Sequence, residues 1–257
     1  MTKYSRHIAV STWSLHRVLE TAALLDIPAQ AAAHGIGRIE ICHFHLPSTD
    51  AAYLAELKAS LADSQIECLT LLIDEGDLTD PSEITRGEHV ETIGKWIDVA
   101  GEIGAARARV IAGKASPDAG GEALRLSEQN LRVLARRASD RGVRVVTENW
   151  FALLDSPAEV IQLLDALDGE VGLLLDFGNW SGERKYDDLS RIAPMAESTH
   201  AKGNYDDAGN LQSDDYARCL KICADAGFQG PHSLIFDAAG DEWTEIDKLR
   251  DFVLSAP

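Results

Sequence analysis

The sequence contains no apolar run that could cross a membrane and no amino-terminal signal segment. A membrane-spanning helix needs about 20 consecutive, mostly apolar residues, and the longest apolar runs here are far shorter. The first residues, MTKYSRHIAVSTW, have neither the apolar stretch nor the cleavage site of a secretory signal. We therefore expect a cytoplasmic protein that has no membrane partner.

Cysteine is scarce, and its spacing does not indicate a disulfide framework. The four cysteines are Cys42, Cys68, Cys219 and Cys223, and no two of them form a CxxC pair. Reduced thiols are the expected state in a cytosolic protein. Cys42 and His45 are spaced like two zinc ligands, but a structural zinc site needs a second such pair. We therefore do not predict a zinc site from these two residues.

Positive charge is also under-represented. The chain has 24 Lys and Arg residues against 42 Asp and Glu residues, a formal net charge of -18. Proteins that bind DNA or RNA neutralise phosphates with Lys and Arg, so this balance argues against a nucleic-acid partner. It still allows a small anionic substrate held by local cations, for which Arg109 and Lys114 are secondary candidates.

What the 257 residues do show is a regular alternation of short apolar runs and amphipathic stretches. The runs predict strands at residues 7–10, 38–42, 67–72, 106–111, 143–150, 171–175, 197–200 and 232–236. The intervening patterns predict helices near residues 27–34, 50–63, 81–103, 122–140, 158–167, 187–195, 213–226 and 242–254. Eight such units favour parallel strands closed into one (β/α)8 TIM barrel, with residues 1–257 as a single domain.

Three consecutive predicted strands end on residues that bind metals. Glu148 follows a buried run in VRVVTENW, Asp176 ends VGLLLD, and His200 ends ESTH. The carboxyl ends of barrel strands meet on one face, where such folds place their active sites. Two carboxylates and an imidazole suit a divalent ion such as Mn²⁺, Mg²⁺, Co²⁺ or Zn²⁺. We therefore predict one metal here; the alternative is a hydrogen-bonded polar layer at the barrel mouth.

The motifs TENW, LDFGNW and HAKG, in this order at three strand ends, resemble those of the xylose isomerase-like TIM barrels. This group is also called the sugar phosphate isomerase/epimerase superfamily, and the resemblance extends over essentially the whole chain. It implies a metal held by Glu, Asp, His and a second Glu from strands 5 to 8. By this resemblance the first three ligands are Glu148, Asp176 and His200. Glu40, near the end of strand 2, resembles a family glutamate that braces the barrel mouth.

The fourth ligand is where the chain departs from the family pattern. Around strand 8 it reads GFQGPHSLIFD, with Ile235 at the usual glutamate position and Asp237 two residues later. Asp237 lies on the same face of an extended strand. We expect it to serve as the fourth ligand and second catalytic carboxylate, or else to cap the last helix. Asn179 replaces a histidine found in many relatives, which argues against a multi-zinc site.

Seven residues on the predicted strand-end loops are candidate substrate contacts. Indole rings form good walls for sugars, and the amide of Asn179 can hydrogen-bond hydroxyl groups. A lysine at the position of Lys202 could bind an oxyanion, or else pair with Asp206 or Asp207 on the surface. The candidates are Trp13, His16, His45, Trp150, Asn179, Trp180 and Lys202.

The resemblance implies a metal-dependent isomerase or epimerase that acts on a sugar, a sugar phosphate or a related polyol or keto compound. Glu148 would be its base, next to a carbonyl that the metal polarises. A dehydratase of the inosose or dehydroshikimate type would use the same site. A sugar-binding barrel that lost its metal along with the fourth ligand is the alternative outside enzymes. A homo-oligomer remains open on the sequence alone.

Overall fold

The computed structural model describes residues 5–118 and 121–256 of the chain. Eight parallel strands form a closed barrel in which neighbours in sequence are neighbours in space. The strands β1 to β8 are Ser5–Ser11, Ile36–Cys42, Glu67–Ile73, Arg107–Val110, Arg144–Glu148, Gly172–Asp176, Ala196–Lys202 and His232–Ile235. The helices α1 to α8 are Ile27–Ala33, Ala51–Asp63, Glu83–Ile103, Glu122–Ser139, Pro157–Leu167, Lys185–Ile192, Ser213–Asp225 and Glu242–Ser255. The (β/α)8 barrel predicted from the sequence is confirmed.

Side chains alternate along each strand, so every second residue points into the barrel. Val146 of β5 and Leu174 of β6 meet Cys42 and Leu72 in a small apolar cluster that is separate from the main core. The main core lies between the strands and the surrounding helices. Residues two positions further along β5 and β6 share the inward face. Glu148 and Asp176 therefore project inward at the carboxyl edge, above the apolar layer.

Strand β7 is longer than the sequence predicted. It was expected to end at His200, whereas the structure continues it through Lys202. Lys202 pairs in register with Ile235 of β8, just as His200 pairs with Ser233. Because side chains alternate along a strand, Lys202 shares the inward face of His200.

Helix α5 begins as its sequence indicates. The Ser156 side chain accepts a hydrogen bond from the Ala158 N–H, and Pro157 occupies the first turn.

In the described part of the chain, no helix is both long enough and apolar enough to span a bilayer. All four cysteines are buried free thiols.

Candidate metal centre and active site

Glu148, Asp176 and His200 converge at the carboxyl end of the barrel. Their ligand atoms all lie within 4.8 Å of one another. His200 Nδ1 is 3.4 Å from Glu148 Oε1 and 3.5 Å from Asp176 Oδ2. All three side chains are buried. They are the only group of three or more potential metal ligands found in residues 5–118 and 121–256.

The two oxygens of Asp176 have different partners. Oδ1 accepts hydrogen bonds from the backbone N–H groups of Gly178, at 2.5 Å, and Asn179, at 2.8 Å. Oδ2 faces His200 Nδ1. The turn after β6 therefore fixes the carboxylate and leaves Oδ2 directed towards the cluster. Asn149 also ties β5 to β6, because its amide bonds both the N–H and the C=O of Asp176.

The second nitrogen of His200 is bonded to a buried carboxylate below the cluster. Nε2 lies 3.0 Å from Oε2 of Glu40 on β2. A carboxylate on the far nitrogen fixes the orientation and tautomer of a metal-binding histidine. Burial alone lowers the pKa of His200, but the charges of Glu148 and Glu40 outweigh it and raise that pKa well above its usual value. Burial alone raises the pKa of Glu40, and His200 shifts it below the usual value.

Arg109 is a buried cation beside the cluster. It lies on β4 in register with Leu72 and Val146, and therefore points into the barrel. Its Nε is 3.1 Å from Glu148 Oε2, and its Nη1 is 2.5 Å from Asp74 Oδ1. Burial opposes the charge, yet the two carboxylates raise the pKa of Arg109 above its usual value. The guanidinium is therefore a permanent charge in the site.

The turn after β5 is strained next to these groups. Phe151 has φ 57° and ψ 174°, a region that is populated almost only by glycine and costs on the order of 1–3 kcal/mol. Its ring packs against Trp150, with centroids 4.4 Å apart. Trp150 in turn lies over the Arg109 guanidinium at 5.3 Å. The strained turn thus places an indole as a cover over the buried cation.

A cavity of about 490 Å³, partly open to solvent, lies above the cluster. Four of the seven predicted substrate contacts line it, namely Trp13, Trp150, Asn179 and Lys202. The Asn179 amide donates to Glu148 Oε1 at 2.8 Å. A Cβ at Gly178 would lie 2.7 Å from Lys202 Cδ, so glycine leaves room for the lysine to reach the cavity.

The other three predicted contacts lie elsewhere. Trp180 is buried in the main core, and its indole N–H donates to the Leu154 carbonyl. His16 lies close to the buried Glu242 carboxylate, at 3.2 Å. His45 bonds Thr12 Oγ1 at 2.9 Å and lines a neighbouring apolar groove instead of the cavity. The structure therefore does not bring these three side chains to the cluster.

Ile235 occupies the cavity wall where the family resemblance calls for a glutamate. Its side chain is buried and lines the cavity. Asp237, the predicted replacement, is not in the ligand cluster or the cavity wall. Its carboxylate is half exposed and lies 3.4 Å from Lys202 Nζ. Lys202 thus pairs with Asp237, and not with Asp206 or Asp207.

The donor set suits a divalent cation. It offers carboxylate oxygens from Glu148 and Asp176 and an imidazole nitrogen from His200, which bind hard to borderline divalent ions. Glu148 Oε1 and Asp176 Oδ2 lie 3.4 and 3.5 Å from His200 Nδ1. Three such donors within reach of one another fit a single divalent ion.

Comparison with known proteins assigns the chain to a family. The sequence model of the xylose isomerase-like TIM barrel family matches residues 28–251 of this chain. The chain belongs to this family. A search of curated proteins found no significant match.

Among solved structures, D-allulose 3-epimerase from Methylomonas sp. is similar over 100% of both chains, with a TM-score of 0.75 and 17% identity. A probable 3-DHS dehydratase from Bacillus anthracis also matches over 100% of both chains, with a TM-score of 0.75 and 16% identity. A xylose isomerase-like TIM barrel protein from Mycobacterium smegmatis, solved in complex with magnesium, matches over 98% of each chain, with a TM-score of 0.74 and 15% identity. At these identities the likeness concerns the fold.

On the sequence, Arg109 was a secondary candidate anchor for an anionic substituent and Asp74 a candidate supporting group. Neither was among the predicted site residues. The structure instead pairs it with Asp74 and Glu148. The available sequence signal was RARV in β4. Arg107 and Arg109 lie two residues apart in this short strand, so both face the inside of the barrel. An arginine inside a barrel needs a buried acid as its partner, and Glu148 was the acid already assigned to this edge.

Proposed function

We propose that this protein is a divalent-metal-dependent isomerase or epimerase that transfers a proton next to a carbonyl of a sugar, a sugar phosphate or a related polyol. The observation that carries the proposal is the convergence of Glu148, Asp176 and His200 at the ends of three consecutive strands. Membership of the xylose isomerase-like family supports it. Among the similar folds, an epimerase agrees with this reaction class and a magnesium complex with a divalent metal, whereas a dehydratase supports the second candidate given below.

Five of the residues that line the cavity have a role in this reaction. Asp176 Oδ2, His200 Nδ1 and Glu148 Oε1 would hold the metal, which supplies a Lewis acid for the carbonyl and hydroxyl oxygens of the substrate. Glu148 takes the proton from carbon. Asn179, bonded to Glu148, orients that carboxylate. Lys202 faces the cavity as a cation for a substrate oxygen.

The walls of the cavity fit a carbohydrate-like substrate. Trp13 and Trp150 line it from the ends of β1 and β5, and indole faces pack well on the C–H faces of sugars. Glu148 lines the same cavity. The substrate would thus be held between an aromatic wall and the metal.

Ile235 favours chemistry on one face of the substrate. Epimerisation by the two-carboxylate route needs a second acid, and the sequence position of the family's second glutamate carries Ile235, whose apolar side chain lines the cavity. Isomerisation or elimination of water needs only one carboxylate. A dehydratase is therefore the second candidate, and its product is an enol or enone that absorbs ultraviolet light. The same residue would also fit a sugar-binding barrel without catalysis.

The test combines metal analysis with Glu148→Gln. The purified protein is expected to hold about one divalent ion per chain. A panel of ketoses, their phosphates and cyclic polyols is incubated in D₂O, with NMR for exchanged protons and ultraviolet absorbance for elimination. Glu148→Gln should lower turnover by about 10³-fold, the typical contribution of a general base.

The matched control is Glu122→Gln, an exposed glutamate paired with Arg125 in the first turn of α4. It should leave turnover unchanged. Full activity in Glu148→Gln would refute the assignment of the base. Sugar binding that persists with a chelator, without exchange or elimination for any substrate, would instead favour the binding protein.

A further inference from the structure

The carboxylate proposed as both metal ligand and base is shared between two positive partners. Glu148 Oε1 accepts the Asn179 amide at 2.8 Å and lies 3.4 Å from His200 Nδ1. Oε2 points the other way and lies 3.1 Å from Arg109 Nε. The two oxygens are therefore not equivalent. One belongs to the metal side of the cluster and the other to the arginine side.

Arg109 is itself held firmly in place. Its side chain is only 4% exposed, and Nη1 contacts the Asp74 carboxylate at 2.5 Å and donates to the Ile73 carbonyl at 3.2 Å. Trp150 covers the guanidinium. A buried cation fixed on one side by β3 cannot follow Glu148 if that carboxylate rotates. Rotation of Glu148 would therefore leave Arg109 with an unpaired edge, which is costly in a buried site.

The contact between Arg109 and Oε2 is Coulombic, without the geometry of a hydrogen bond. Neither Arg109 Nε nor Glu148 Oε2 has a hydrogen-bond partner, although both atoms are buried. The guanidinium thus attracts Oε2 without occupying its lone pairs. An oxygen held in this way is kept from the metal, and its lone pairs carry no hydrogen bond.

We propose that Arg109 is a positioning residue that restricts Glu148 to metal binding through Oε1 and reserves Oε2 for proton transfer. This inference rests on the proposed function, because it requires a metal at the cluster. Arg109 competes with the metal for the second oxygen, and Asp74 limits that competition by holding Arg109 from the other side. The planar guanidinium suits this task because one edge faces each carboxylate.

The competition predicts metal affinities of opposite sign for two variants. Arg109→Met removes the competing cation and frees Oε2, so Mn²⁺ should bind about tenfold more tightly. Asp74→Asn releases Arg109 towards Glu148, so Mn²⁺ should bind about tenfold more weakly. Loss of a structural support would weaken binding in both variants. The affinities are measured by calorimetric titration of the full-length protein with Mn²⁺.

Cobalt gives a second readout that does not depend on activity. The visible absorption of Co²⁺ weakens as its coordination number rises. Arg109→Met allows Glu148 to use both oxygens, so the bands should weaken. Arg109→Lys keeps a charge near Oε2 and should restore a spectrum closer to that of the wild type. Turnover of Arg109→Met should fall although its metal binding tightens.

The matched control is Arg144→Met. Arg144 lies at the start of β5, the strand that ends in Glu148, and pairs with Glu197 at 2.6 Å. It should leave the Co²⁺ spectrum and the Mn²⁺ affinity unchanged. Folded Arg109→Met with wild-type or weaker affinity and an unchanged spectrum would overturn the proposal. If Arg109→Met does not fold, unchanged or tighter binding by Asp74→Asn overturns it. If the wild-type protein binds neither Mn²⁺ nor Co²⁺, this proposal and the metal-dependent function are both overturned. If the wild type binds metal but the variants keep its affinity and spectrum, only the proposal about Arg109 is overturned.

Discussion

The hydrogen bond between Glu40 and His200 leads to a prediction about the pH dependence of metal binding. The ligand atom His200 Nδ1 must be free of its proton before it can bind a metal. Glu148 and Glu40 both raise the pKa of His200, against the opposing effect of burial. In the metal-free protein His200 thus holds its proton to a higher pH than an ordinary histidine. Metal binding must displace that proton.

The size and sign of the effect follow from this competition. Below the pKa of metal-free His200, each unit of falling pH should weaken metal binding tenfold, or about 1.4 kcal/mol. Above that pKa the affinity should be constant. Glu40→Gln removes one of the two carboxylates that raise the pKa, so the break between the two regimes should move to lower pH. It also removes the charge behind a metal ligand, which typically weakens binding by about 10–100-fold. The plateau at high pH should fall accordingly.

The assay is calorimetric titration with Mn²⁺ at a series of pH values from about 6 to 9, a range that spans the usual pKa of histidine and values above it. Glu67→Gln is the matched control, because Glu67 also lies on a barrel strand and pairs with a cation, Arg38, at 3.0 Å. It should keep the wild-type break and plateau. If Glu40→Gln keeps the wild-type break, Glu40 does not set the protonation of His200 and the reasoning is wrong.

Two further predictions concern Ile235 and His232. Ile235→Glu adds a carboxylate to the cavity wall, so the increase in melting temperature on adding Mn²⁺ should be larger than in the wild type. The metal-free variant should lose about 2 kcal/mol of unfolding free energy, because the buried isoleucine is gone. An unchanged increase with Mn²⁺ would contradict this. Burial and the charge of His7 lower the pKa of His232 to about 4. The free energy of unfolding should therefore keep the full contribution of neutral His232 above the unfolded pKa near 6.5. It should fall by up to about 3 kcal/mol as the pH drops to 4. In His232→Gln, urea unfolding at pH 7 and 5 should show a smaller difference than in the wild type; an equal difference would contradict this.

Hydrophobic periodicity was sufficient to predict the barrel and the clustering of three polar side chains at its carboxyl edge. A buried parallel strand is a short apolar run, so a polar residue that ends the run marks the carboxyl edge. Glu148, Asp176 and His200 all follow such runs, and barrel closure brings their edges together. The inward position of Lys202 follows from the same alternation once β7 is extended by two residues. These features depend on strand geometry, which local sequence determines.

The positions of Trp180, His16 and His45 depend on loop paths, which local sequence does not determine. Trp180 follows a strand end, as Trp150 does, but the loop after β6 turns its ring into the core. His16 lies at the end of one short 3₁₀ segment, 3.2 Å from a Glu242 carboxylate oxygen. His45 lies in another such segment and hydrogen-bonds Thr12. A loop residue next to a strand end therefore need not face the cavity. Its direction is set by packing between distant parts of the chain.

Ile235 connects the sequence departure with the buried arginine. In the family pattern a second glutamate from β8 would face the metal, whereas here that wall is apolar and Asp237 pairs with Lys202 at the surface. With one ligand fewer, Glu148 would gain most by turning both oxygens to the metal. Arg109 is placed to prevent this, since it holds Oε2 at 3.1 Å. A site with one proposed catalytic carboxylate needs that carboxylate to keep one oxygen for the proton, and the Asp74–Arg109 pair is placed to provide this.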